Sequence, residues 1–94
     1  MAIIGSCNFD MYLPGCQSLK EKRMVLSSIK QKLRKDFNIA ISELDYNDYW
    51  QRTLIGIATI SNSQTAINEI FDRILSHLEN NPSIEVINQE RNFY

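Results

Sequence analysis

The chain has 94 residues, with ten Lys and Arg, eleven Asp and Glu and one His, for a formal net charge of −1. Its 44% hydrophobic and 22% charged content is that of an ordinary globular protein, and the length suits one domain, residues 1–94, that buries somewhat over roughly 60% of its unfolded surface. No stretch approaches the ~20 apolar residues of a membrane helix, and Met1 leads into a strand pattern without a basic leader, so neither a membrane span nor a signal peptide is expected.

The net charge hides an asymmetry. Residues 1–35 carry seven basic and two acidic groups, whereas residues 36–94 carry three basic and nine acidic groups. A chain polarised in this way can present a basic face to an anion despite its acidic balance. Cys7 and Cys16 lack metal-ligand spacing and read as free thiols in a reducing cytoplasm, the expected location.

In chain order, Ala2–Leu13 alternates Ile3, Gly5, Cys7, Phe9, Met11 and Leu13 with a second face that turns polar from its middle onward, the period of a strand. Pro14-Gly15 ends it. Ser18-Leu19-Lys20-Glu21 has the form of a capping box and opens a helix that runs to Phe37. At about 100° per residue, Leu19, Val25, Leu26, Ile29, Leu33 and Phe37 share roughly one third of its circumference and must face a core. Lys20, Arg23, Lys30 and Arg34 gather on one flank of that arc. Lys22 falls in its middle, which predicts a buried stem and an ammonium that snorkels out past the end of the sheet.

Ile39–Tyr46 alternates as a short strand, Asn47-Asp48 supplies hairpin-turn chemistry, and Arg52–Ser61 is apolar or small on both faces, as a central strand should be. Gly56 and Ala58 on one face would let a helix approach closely. Asn62 or Ser63 caps a second helix with the stripe Ile67, Ile70, Phe71, Ile74, Leu75 and Leu78, and Asn80-Asn81-Pro82 stops it. Ser83–Phe93 is a final strand, polar toward its end like an edge strand.

The order β-α-β-β-α-β with right-handed crossovers predicts an α+β ferredoxin-like βαββαβ sandwich: a four-stranded antiparallel sheet in the order 4-1-3-2 with two helices on one face. The start of the first helix and the Tyr46–Arg52 hairpin then share one end of the molecule. LPGCQSLKEKR at 13–23, the hairpin ELDYNDYWQR at 43–52 and the following LIGIATISN resemble the YlxP-like family, domain of unknown function 503, over essentially the whole chain. The resemblance implies the same fold and a bacterial cytoplasmic protein, often encoded beside translation-initiation and ribosome-maturation genes. It implies no established reaction. In that family the position of Tyr46 is often a histidine, so a titrating role there does not carry over.

Three surfaces compete for function. Lys20, Arg23, Lys30 and Arg34, with Trp50 and Arg52 at the adjacent tip, form a candidate nucleic-acid surface for ribosomal RNA or a ribosomal subunit; the same helix flank also reads as ordinary solvated charge. Cations at the helix N-terminus oppose the helix dipole, which hints at a ligand. Structurally, Trp50 would close the end of the core and Arg52 would pair with Asp45 or Asp48.

The second candidate is an anion site of Ser18, Lys22 and Arg23 at the loop and helix start, in the region that acylphosphatases use in the same fold, though the Val-Gln-Gly-Val loop is missing. The third is a homodimer through the open sheet face, expected to carry Ile55 and Ile57 with Thr53 and Thr59. No catalytic residue, cofactor or metal site is assigned. His77 is expected at the boundary of the second helix, and binding is favoured over catalysis.

Overall fold

The computed structural model describes residues 1–94 as six elements: β1 (Ile3–Tyr12), α1 (Leu19–Asp36), β2 (Ala40–Asp45), β3 (Arg52–Ser61), α2 (Gln64–Glu79) and β4 (Glu85–Phe93). All strand pairs are antiparallel and the sheet order is β2-β3-β1-β4, so the two long strands are central and β2 and β4 form the edges. Named from the β4 edge, the same neighbours read 4-1-3-2.

Local chemistry sets the helix ends. The Ser18 hydroxyl accepts from the Glu21 N–H at 3.1 Å, and the Ser63 hydroxyl accepts from the Ala66 N–H at 3.2 Å. Ser63, not Asn62, is therefore the second cap.

The register puts Cys7 opposite Ile57, Phe9 opposite Ile55 and Met11 opposite Thr53, and all six side chains are buried. Leu26, Ile29, Leu33 and Phe37 from the first helix and Ile67, Phe71, Ile74 and Leu78 from the second complete one core against that face. Both helices therefore lie on the side of Ile55 and Ile57. The expectation that the helices cover Gly56 and Ala58 is reversed, and with it the expected makeup of the open face. The close approach that glycine permits occurs at Gly5, where a Cβ would run into the Ile67 methyl and lie 3.2 Å from the Phe71 ring. Gly56 instead lies beneath Leu44 on the open face.

Two bulges shape the edges. The β2–β3 register shifts between Glu43 and Asp45, and the β1–β4 register shifts between Asp10 and Met11. The first places Leu44 and Asp45 together on the open face; the second turns Ile87 outward beside Tyr12. No helix is long and apolar enough to cross a membrane.

Candidate functional site

The first helix carries the densest charge. Lys20, Arg23, Lys32, Arg34 and Lys35 are exposed and Lys30 is half-buried. None of the six has a carboxylate within 4 Å. The two acids of this helix are engaged elsewhere. Glu21 accepts from the Gln17 N–H, and Asp36 lies 3.9 Å from His77 Nε2. Arg34 bends over edge strand β2, with its guanidinium 3.4 Å from the Ile41 carbonyl oxygen.

On the opposite flank, away from β2, a groove of about 660 Å³ separates the two helices. Lys32, Arg73, His77, Ser28 and Ser76 line it, and Arg73 stacks 5.1 Å from the Phe37 ring centroid. In the sequence Arg73 and His77 look like unrelated surface groups, because only the antiparallel packing of the helices brings them to Lys32.

Lys22 does not snorkel. It is 1% exposed; its ammonium donates to the Tyr46 carbonyl at 2.6 Å and lies 2.9 Å from Glu43 Oε2, which also accepts from the Thr53 hydroxyl at 2.6 Å. Tyr46 supplies that carbonyl from the left-handed region, at φ 62°. The sequence held a signal for this pair. Glu43 shares the alternation of Ile39 and Ile41, so a charge on the inner face of a strand faces a charge on the inner arc of a helix.

The anion set Ser18, Lys22 and Arg23 is therefore not assembled. Lys22 points into the core, Ser18 caps its own helix, and the Glu21 carboxylate sits at the loop amide of Gln17. Of the three, Arg23 is exposed, Ser18 is half-buried and Lys22 is buried.

The hairpin does join the loop before the first helix, as the topology requires. Gln51 Nε2 donates to the carbonyls of Pro14 and Cys16 at 3.2 and 3.1 Å, and the Leu13 N–H donates to the Gln51 carbonyl at 2.9 Å. Arg52 pairs with neither Asp45 nor Asp48. It makes a bidentate pair with Asp10 at 2.9 and 2.8 Å across β1 and β3, because the two are diagonal neighbours on the open face. That guanidinium holds the Asp10 carboxyl below its ordinary value of 3.8. Arg52 also lies 4.7 Å from the Tyr46 ring centroid.

Trp50 does not plug the core. It is 52% exposed and lines a shallow groove of about 670 Å³ with Tyr12, Asp48, Arg52 and Ile87. The open sheet face thus holds Trp50 and Arg52, while Lys20, Arg23, Lys30 and Arg34 belong to the helix layer. The residues expected to form one nucleic-acid surface are divided between two faces of the sheet.

Cys7 and Cys16 are buried free thiols, and burial pushes the Cys7 thiol up to about 11. No group of three or more His, Cys, Asp or Glu side chains gathers in an arrangement that could hold a metal ion.

The fold resembles that of "De novo designed protein Foldit4", with a TM-score of 0.54 and 10% identity, covering 100% of this chain and 97% of the other; at that identity the likeness concerns architecture alone. In sequence, the chain is 39% identical over 83 residues to "Uncharacterized protein YlxP" of Bacillus subtilis (strain 168), spanning 88% of this chain and 90% of that protein. Residues 4–91 match the family described as "Protein of unknown function (DUF503)". The family match takes in four of the six elements whole and most of β1 and β4, and the chain belongs to the YlxP-like DUF503 family.

Proposed function

We propose that this ferredoxin-like sandwich is a cytoplasmic binding protein that grips the phosphate backbone of RNA, ribosomal RNA in particular, through the outer surface of its first helix. The observation that carries the proposal is the set of six helix cations, Lys20, Arg23, Lys30, Lys32, Arg34 and Lys35, with no carboxylate partner. Unpaired, closely spaced cations repel one another, and a polyanion relieves that repulsion while releasing its condensed counterions. Arg73 adds one cation on the far side of the inter-helix groove, but the second helix also carries Glu69, Asp72 and Glu79, so a strand of nucleic acid would follow the first helix rather than cross the layer. The loop before the helix offers an anion no comparable site, since the Glu21 carboxylate is already there.

A salt titration tests this. Binding of ribosomal RNA is measured by anisotropy at several salt concentrations for the parent and for Lys20→Ala/Arg23→Ala/Lys30→Ala. Removing one cation that touches a phosphate should lower the slope of log K against log salt by about 0.7–0.9. A slope shallower by about 2 in the variant supports the helix surface. Identical slopes for the two proteins, or no binding even at low salt, would leave the helix as solvated scaffold.

A further inference from the structure

The open face of the sheet has the opposite charge to the first helix and its own apolar groove. Register places Asp10, Asp45, Glu85 and Glu90 on this face, opposite or level with Leu54, Tyr12 and Asn8, and Asp48 lines its groove. Its one cation is Arg52, which Asp10 already neutralises. The other nine Lys and Arg lie on the helix side or inside the core. Asp45, Asp48, Glu85 and Glu90 have no basic partner within 4 Å. Among these carboxylates sit Tyr12, Trp50 and Ile87, which wall the groove of about 670 Å³, and farther along the sheet lie the exposed Leu44, Ile4 and Ile60.

We infer that this face docks a basic segment of another protein, a lysine- or arginine-rich stretch whose apolar side chain fills the groove between Tyr12, Trp50 and Ile87. Charge complementarity selects that occupant. A nucleic acid would bring phosphates against four uncompensated carboxylates. A second copy packed face to face would set those carboxylates against their own kind. A basic segment meets them with opposite charge, and its apolar side chains cover surface that water now touches. The groove lies beside the hairpin, where Trp50 and Ile87 are each about half exposed and ready to be covered (52% and 51%). The helix-layer proposal and this one use opposite sides of the sheet, so each stands or falls alone.

Trp50 is the only tryptophan, which makes it a reporter placed in the groove. Its emission is followed while the full chain is titrated with a nine-residue peptide alternating lysine and leucine. Matched peptides alternate lysine with serine, and glutamate with leucine. The expected result is a saturable blue shift with the lysine–leucine peptide, at least fivefold weaker binding of the lysine–serine peptide, and none of the glutamate–leucine peptide. Asp48→Asn/Glu85→Gln and Ile87→Ser should each weaken the lysine–leucine peptide by about three- to tenfold, while their thermal midpoints stay near the parent's because the replaced side chains are exposed. Equal binding of the lysine–leucine and lysine–serine peptides overturns the apolar half of the inference. A Trp50 shift produced by single-stranded RNA, or by raising the protein concentration with a doubled mass in light scattering, overturns the choice of occupant. An unmoved Trp50 with all three peptides overturns the site.

Discussion

Lys22 on α1 and Glu43 on β2 meet inside the sandwich, Nζ to Oε2 at 2.9 Å, with side chains 1% and 15% exposed. The Tyr46 carbonyl and the Thr53 hydroxyl complete their hydrogen bonding, so no polar side-chain atom is stranded in the interior. The pair ties the start of the first helix to the end of β2 and holds Tyr46 in its left-handed conformation at the head of the hairpin. Desolvating two charges is expensive, and removing one member leaves the other without compensation. Lys22→Ala should therefore cost about 3–5 kcal/mol in urea unfolding, whereas the joint replacement Lys22→Met/Glu43→Leu, which leaves no buried charge and strands only the neutral Thr53 hydroxyl and Tyr46 carbonyl, should cost clearly less. A Lys22→Ala loss below about 1 kcal/mol would show that water reaches the pair.

The two in-sheet glycines should respond differently to alanine. At Gly5 the new methyl meets Ile67 and Phe71, both wholly buried in the core, and helix α2 must move. A loss of about 1–3 kcal/mol is expected from such overpacking. At Gly56 it meets the end of Leu44, an exposed side chain free to swing away. Gly56→Ala should be clearly milder than Gly5→Ala in the same denaturant series; equal losses would contradict the assignment of the two faces.

Cys7 predicts a stability loss at high pH. Its thiol is buried and held up to about 11, by burial chiefly, with Arg91 pulling the other way, whereas the unfolded thiol ionises near 9.0. Between those values the unfolded chain has released a proton that the folded chain retains. Stability must then fall as pH rises from about 9 to about 11. The parent should lose more across that window than Cys7→Ala, when each is followed by chemical denaturation. Parallel curves would mean that the folded thiol ionises freely.

The Asp10–Arg52 pair acts at the other end of the scale. Its folded carboxyl lies below the ordinary 3.8, because Arg52 bonds to the ionised form. The stabilisation is present above that pH and disappears as pH falls through the lowered folded value. In acid unfolding, Asp10→Asn should narrow the difference in stability between neutral and strongly acidic pH relative to the parent. An unchanged difference would place the pair among surface ion pairs that contribute nothing.

Ser18→Ala should cost about 1 kcal/mol of stability by removing the acceptor for the Glu21 N–H. Ser18→Asp should restore it, since aspartate caps equally well. Failure of aspartate to rescue would assign the loss to something other than capping.

The order of elements, both helix starts and the core stripes were legible in the chain, because periodicity and capping are local: residues two, three or four apart decide them. The meeting of the hairpin with the first helix also followed, since strand directions leave it no other end. What local pattern could not decide was which face of β3 the helices cover. Arg52–Ser61 is apolar or small on both faces, so only the pairing of Cys7, Phe9 and Met11 with Ile57, Ile55 and Thr53 settled it. Partners distant in sequence were equally hidden. Lys22 found Glu43, Arg52 found Asp10, and Trp50 turned to a groove with Ile87, pairings made by sheet register and two bulges. The separation of charge along the chain was visible from composition; its conversion into a basic first helix and an acidic sheet face required the fold, because alternation in a strand assigns each carboxylate to a side only once the register is known.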